Sequence, residues 1–250
     1  MTVVVKLGGS VVTEKDEPET LDETAIERAA QAVAAADAEV VVVHGGGSFG
    51  HHYATRHGVS RAEGTTDATA VREIHGAMQR LNDAMVDALA DAGVPAVPVH
   101  PLSAGARDGD GELTLPTDQV ETMLDEGFVP VLHGDVIAHA GAGATIVSGD
   151  ELVVALATGL DADRVGLCSA VPGVLDADDA VIDRIDAFED VAAVLGGSEA
   201  ADVTGGMAAK VRTLLDLGTP ASIFALSDLD AFFAGERPGT LVAGAGRNES

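Results

Sequence analysis

Tryptophan is missing from this 250-residue chain, and tyrosine and cysteine occur once each, as Tyr53 and Cys168. A lone cysteine excludes an internal disulfide and a cysteine-cluster zinc site, and it suits a reducing compartment. Six phenylalanines supply the other aromatics, so the 46% apolar content leans on Ala and Val and the interior must be filled by many small side chains. No apolar run approaches the roughly 20 residues that cross a bilayer. No basic segment followed by an apolar one opens the chain, so a secretion signal is not expected and the expected location is cytoplasmic.

Positive charge is scarce as well. Against 41 acidic residues stand 14 basic ones, a formal net charge of −27. Such a surface repels nucleic acid and anionic membranes, which argues against both as partners. Self-repulsion at that density is relieved where the Debye length shrinks to about 3 Å, near 1 M salt. Acid excess, abundant alanine and very little lysine together have the composition of a halophilic, salt-accumulating cell. Lys6, Lys15 and Lys210 are the three lysines, beside eleven arginines. Lys6 adjoins Gly8-Gly9, Lys15 lies nine residues on, and Lys210 follows Gly205-Gly206 by four. A chain that avoids lysine elsewhere keeps these three for chemistry.

Hydrophobic patterning predicts strands at 2–7, 39–43, 94–99, 128–133, 163–168 and 220–226. Helices are predicted at 21–36, 67–92, 117–125, from 148 to 158, and from 204 to 217. The segment 135–139 pairs with or continues the strand before Gly134, Asp108-Gly109-Asp110-Gly111 marks a hairpin tip, 176–190 reads as exposed turns, and 239–250 ends in a short strand. Strands alternating with helices give an α/β fold with a mainly parallel sheet. The chain reads as one continuous domain on one sheet with two lobes, 1–160 and 161–250.

Three glycine-rich turns leave strands or open helices: Gly8-Gly9-Ser10, Gly45-Gly46-Gly47-Ser48 and Thr204-Gly205-Gly206. Glycine lets backbone amides approach an anion with no Cβ in the way, and a following helix adds the positive end of its dipole. Three such turns, two of them partnered by lysine, point to a polyphosphate site. The pattern is not GxxxxGK[ST], and GGGSFG is not followed by the acidic residue of a dinucleotide-binding unit. Phosphoryl transfer needs two anions aligned and their charge neutralised, and here local cations must work against the bulk charge.

His51, one residue past Gly50, is placed to donate a hydrogen bond to a phosphate monoester, and a dianion would favour its protonated form. His44, at a strand end, reads as a hydrogen-bonded structural residue, and His52 and His57 as solvent-facing. His133 and His139 bracket Gly134-Asp135 without a third ligand, which argues against zinc. Asp150, in Ser148-Gly149-Asp150, is either a helix cap or an acid that orients Lys6 and Lys15 or a metal; both roles are compatible. Ile74, Met78, Leu81 and Met85 form an apolar stripe that belongs to the core, with Ile74 and Met78 as candidates for the wall of an acceptor pocket.

Taken together, Lys6-Leu7-Gly8-Gly9-Ser10, Gly45-Gly46-Gly47, Ser148-Gly149-Asp150 and Thr204-Gly205-Gly206-Met207 with Lys210 resemble the amino acid kinase family over essentially the whole chain. The resemblance implies a three-layer αβα sandwich, an acceptor-binding N-terminal lobe, a C-terminal lobe for ATP and magnesium, and a homodimer. His44-Gly45-Gly46-Gly47-Ser48-Phe49-Gly50-His51 is similar to the isopentenyl phosphate kinase branch, which implies a phosphate acceptor in the archaeal mevalonate route. It further implies that Lys6, Leu7 and Gly8 to Ser10 hold ATP phosphates with Gly47, Gly206 and Lys210. Lys15 would stabilise the transferring group, and Gly46, His51 and Gly149 would hold the acceptor phosphate. Magnesium would be held mainly by the ATP phosphates rather than by a protein cage. Cys168-Ser169-Ala170-Val171-Pro172-Gly173 lacks the acidic residues that many members carry beside the nucleotide, a departure that touches nucleotide preference.

Overall fold

The computed structural model describes residues 1–15, 17–195 and 206–243. Val3, Val4, Val5 and Leu7 make β1 (Thr2–Leu7) apolar on both faces, the signature of a strand inside a parallel sheet. Val40 to Val43 do the same for β2 (Glu39–His44). Between them lie the one-turn α1 (Gly9–Val12) and α2 (Glu23–Ala34). The Asp22 carboxylate caps α2 by accepting from the Ala25 amide at 2.9 Å. After β2 come α3 (Gly47–His57) and α4 (Ala68–Asp91), the latter capped by Asp67 and followed by Gly93 at φ +85°.

β3 (Ala96–Pro98), α5 (Pro101–Ala104), the hairpin of β4 (Ala106–Arg107) and β5 (Leu113–Thr114), and α6 (Asp118–Asp125) lead to β6 (Val129–His133). β7 (Asp135–His139), β8 (Gly143–Val147), α7 (Gly149–Gly159), β9 (Arg164–Ser169) and β10 (Arg184–Ile185) follow. The remainder comprises α8 (Ala192–Leu195), α9 (Gly206–Leu215), β11 (Ala221–Ala225), α10 (Leu229–Phe233) and β12 (Thr240–Val242).

Eight strands form one sheet in the order β10-β12-β11-β9-β1-β2-β6-β3. Every neighbouring pair from β11 to β3 is parallel, while β12 runs antiparallel to β11. Strand parity divides the core. Val3, Val5 and Leu7 with Val40 and Val42 pack against Ile26 and Val33 of α2 and Met85 and Leu89 of α4. Val4, Val41 and Val43 face Val120 of α6, Leu152 and Leu156 of α7 and Val211 and Leu214 of α9. Helices on both faces of a mainly parallel sheet make the three-layer sandwich that the sequence predicts. Strands before residue 160 occupy the β1-β2-β6-β3 side and those after it the other side.

Three readings need correction. The segment after Gly134 does not extend the large sheet: β7 pairs with β8 and β4, giving a second sheet ordered β5-β4-β7-β8. A single continuous sheet therefore does not describe the chain. The stretch 176–190 is not simply exposed, because Ile185 is fully buried and β10 pairs with β12. The strand at 94–99 shortens to three residues ending at Pro98. The expected hairpin around 108–111 is present, with Arg107 opposite Leu113. Thr204 and Gly205 of the third glycine turn, and residues 244–250 of the tail, lie outside the described residues.

The first two glycine turns touch back to back. A Cβ on Gly9 would lie 2.2 Å from the Gly47 nitrogen and 2.6 Å from its Cα, and one on Gly45 would lie 2.5 Å from the Gly9 nitrogen. Gly9→Ala therefore forces two backbones apart and is expected to cost about 1–3 kcal/mol, read as a lower thermal midpoint in molar KCl. Gly76→Ala, inside α4 with Arg80 Nη1 3.7 Å away as its only near neighbour, is the opposite case. It is expected to raise stability by up to about 1 kcal/mol.

Candidate active site

The carboxyl ends of β1, β2, β6 and β9 come together at one edge of the large sheet, where open α/β sheets form their ligand crevices. A cleft of about 920 Å³ lies there, reached by residues of all four strand ends and by α1, α3, α4, α7 and α9.

Lys6 has the parity of Val4 and so faces α7. Its Nζ donates to Asp150 Oδ1 at 2.7 Å, with the two side chains 8% and 12% exposed. The stem of Lys6 crosses Gly149, where a Cβ would stand 3.0 Å from Lys6 Cε. Ser148, not Asp150, caps α7: its hydroxyl accepts from the Glu151 amide while Glu151 accepts from the Ser148 amide. Asp150 is thereby left to hold Lys6. Lys210 of α9, with Ser169 and Ala170 at the end of β9, lines the same cleft.

Two helix N-termini meet across Gly134. A Cβ there would sit 3.5 Å from the Gly149 nitrogen, which opens α7, and 3.9 Å from the Gly46 nitrogen, which precedes α3. Neither amide donates a hydrogen bond among the described residues. Unpaired amides at converging helix starts are able to receive an anion, and bare Gly134 leaves room between them. His51 of α3 lines the cleft beside them, with Ile74 and Met78 of α4 and Ile146 of β8. Met78 Sδ approaches within 3.5 Å of where a Gly46 Cβ would be and 2.8 Å of a Gly50 Cβ. Ile74 and Met78 are at once core residues, each 1% exposed, and cleft wall.

Beneath this cradle lies a buried polar layer. His44 and His133 are register partners at the ends of β2 and β6, with rings stacked 5.6 Å apart. His44 Nδ1 lies 3.1 Å from the Gly45 carbonyl oxygen, and its Nε2 lies 3.0 Å from Asn82 Oδ1 on α4. His133 Nδ1 lies 3.0 Å from the Gly134 carbonyl oxygen, and its Nε2 lies 2.9 Å from His100 Nδ1. His75 donates to Asp135, a buried carboxylate at the cleft edge, at 2.8 Å. Burial pushes His44 down to about 3 and also lowers His133, whereas the bond to Asp135 raises His75.

Of the residues singled out in the sequence, Lys6, Gly8, Gly9, Ser10, Gly46, Gly47, His51, Ile74, Met78, Gly149, Asp150 and Lys210 all line the cleft. Gly8 contributes no free amide, because its N–H donates to the Cys168 carbonyl at 2.9 Å. Leu7 buries its side chain in the core and offers the cleft nothing; its carbonyl accepts from Gly45. Lys15 is exposed in the α1–α2 connection, and neither it nor Gly206, at φ +61° where α9 starts, lines the cleft. His52 is exposed, but His57 is half-buried against Glu73 at 2.7 Å. His75, His100, Asn82 and the pairing of Asp135 escape the sequence reading. Strand parity is the one available signal, since it puts His44 on the α4 face with Val40 and Val42.

The amino acid kinase family model matches residues 1–220. The chain is 68% identical to an isopentenyl phosphate kinase of Haloferax volcanii, over 97% of this chain and 98% of that one. It is 34% identical to an isopentenyl phosphate kinase of Methanocaldococcus jannaschii, over 84% and 85%. Among solved structures, an isopentenyl phosphate kinase superposes with a TM-score of 0.82 at 27% identity, covering 96% of this chain and 99% of that one. Family model, relatives and backbone agree, and the chain belongs to the amino acid kinase family.

Proposed function

We propose that this chain transfers the γ-phosphoryl group of ATP to isopentenyl phosphate, giving isopentenyl diphosphate and ADP. The observation that carries the reading is the 68% identity, over nearly its full length, to the Haloferax volcanii enzyme. The cleft fits the reaction. Lys6, the Gly9 and Ser10 amides and Lys210 provide positive charge where the nucleotide phosphates belong, with Gly47 as a further nucleotide contact; Gly206, which does not line the cleft, would meet the nucleotide only from beyond it, at the start of α9. Gly46, Gly149 and His51 provide donors for a phosphate carried by an apolar acceptor, and Ile74 and Met78 provide the apolar wall. On this reading residues 1–160 hold the acceptor and 161–250 the nucleotide.

An oxygen of the acceptor phosphate attacks the γ-phosphorus as its bond to the β,γ-bridging oxygen breaks, and ADP carries away the electron pair. That oxygen is ionised near neutral pH, so His51 positions the acceptor instead of deprotonating it. Asp150 keeps Lys6 aimed along the cleft. Magnesium, bound to the nucleotide phosphates, supplies further charge neutralisation. On this reading the ATP phosphates would hold the ion, and the chain's own part is its lysines and amides. Lys15 reaches the transferring group only if the α1–α2 connection folds over the cleft. The acidic excess suits a halophilic cytoplasm, no helix among the described residues is long and apolar enough to cross a membrane, and the assembly is a homodimer.

ADP release in molar KCl with magnesium-ATP tests the reading. Isopentenyl phosphate should far exceed acetylglutamate, UMP and a blank without acceptor, and preference for another acceptor would overturn it. His51→Ala should raise KM for isopentenyl phosphate about tenfold or more, the scale of one lost hydrogen bond to a charged group. Lys15→Ala should lower kcat instead, and an unchanged kcat removes Lys15 from the reaction. Ile74→Ala should extend the range to longer prenyl phosphates, and unaltered chain-length selectivity removes Ile74 from the pocket.

A further inference from the structure

We propose that His44 and His133 are positioning residues that hold the acceptor-phosphate cradle in shape from below, by turning the carbonyls of Gly45 and Gly134 away from the cleft. The idea rests on the reading that the Gly46 and Gly149 amides receive that phosphate.

A carbonyl oxygen only accepts, so Nδ1 of His44 and Nδ1 of His133 each carry the proton given to Gly45 and Gly134. Both rings are fully buried and neutral, so each Nε2 is an acceptor. His133 Nε2 then receives Nδ1–H of His100 at 2.9 Å. His44 Nε2 must likewise receive a proton from Asn82. Asn82 Oδ1 is the atom placed 3.0 Å from that nitrogen, so the amide is assigned the opposite way round, with Nδ2 donating to His44 and gaining the partner it otherwise lacks. Both nitrogens of each of the two rings are then assigned, and the two tautomers are fixed by Asn82 and His100.

The consequence follows from the planar trans peptide. In the unit joining Gly45 to Gly46, carbonyl and amide point opposite ways. Anchoring the Gly45 carbonyl to a ring beneath the sheet edge leaves the Gly46 amide facing the cleft, where it has no partner among the described residues. A glycine run has no side chains to stop the peptide flipping, and a flip would present a carbonyl lone pair to the incoming phosphate. At Gly134 the part played by His133 is different: the amide opposite that carbonyl belongs to Asp135, which enters β7, so His133 fixes the Gly134 backbone itself, which both free amides flank.

Paired substitutions test this. Asparagine places its side-chain nitrogen near the Nδ1 position of histidine, whereas glutamine reaches the Nε2 position. His44→Asn should keep KM for isopentenyl phosphate within about threefold, while His44→Gln raises it about tenfold or more. KM for ATP should not move in either variant. Equal acceptor KM values in the two variants, or ATP and acceptor KM rising together, would overturn the proposal, since a purely structural histidine predicts that. A second readout needs no turnover: in nitrogen-15-labelled protein, inorganic phosphate should shift the Gly46 amide in wild type and His44→Asn but not in His44→Gln. No shift in wild type sinks the positioning role even if turnover is normal. A clear shift without turnover on isopentenyl phosphate sinks only the proposed function.

Discussion

The contact on which the site depends is between two stretches of bare backbone. Gly8-Gly9 leaves β1 and Gly45-Gly46-Gly47 leaves β2, and because the strands are parallel neighbours their ends emerge side by side. Where any side chain would intrude, Gly9 and Gly47 close to within a distance that excludes a Cβ. That approach lets α1 and α3 start from one place and brings the proposed nucleotide and acceptor ends of the cleft together. In-line transfer needs just this, because its rate comes largely from holding two anions in line.

Charge is the opposing constraint. A chain of net charge −27 repels both proposed substrates at long range. The cleft answers with groups that salt screens little because they are partly buried: Lys6 at 8% exposure, Lys210, and the amides opening α3 and α7. The Asp150–Lys6 pair looks wasteful in such a setting, since it spends a scarce cation on a carboxylate. Its value is directional. A lysine stem has rotamer freedom that costs free energy to restrain, and a fixed acid at 2.7 Å restrains it before the nucleotide arrives.

What was legible in the sequence tracks the range over which each signal acts. Continuous apolar runs and the glycine turns at their ends are local signals, and from them the α/β fold, the parallel sheet and most cleft-lining residues are legible. Asp150 was left between cap and orienting acid because the choice turns on Ser148 being the cap and on Lys6, 144 positions earlier, sharing its face of the sheet. His75 and Asp135 are 60 residues apart, on α4 and β7. His100 and His133 are 33 apart. Nothing local marks them, since they meet only once α4 covers one face of the sheet and β7 has left it. Gly8 is a related case: it lines the cleft as its place in the sequence suggests, but that its amide is taken by the Cys168 carbonyl depends on β9 lying beside β1.

The buried histidine layer is the least expected part of the design, and comparison with an apolar alternative explains it. Val40 and Val42 would continue naturally into another valine at position 44, and Val131 into one at 133, matching the faces of β2 and β6. Such a pair would pack well against α4 and avoid desolvating two imidazoles. It would also leave the carbonyl of buried Gly45 without a donor, at about 1–3 kcal/mol, and that of half-buried Gly134 without one as well. Those carbonyls cannot return to the sheet, because β2 and β6 end there and the chain must turn to open the cleft. Histidine meets the demand with one side chain: Nδ1 satisfies the following carbonyl while Nε2 finds a partner on the covering elements. The polar layer is therefore the structural consequence of ending two parallel strands at a glycine cradle.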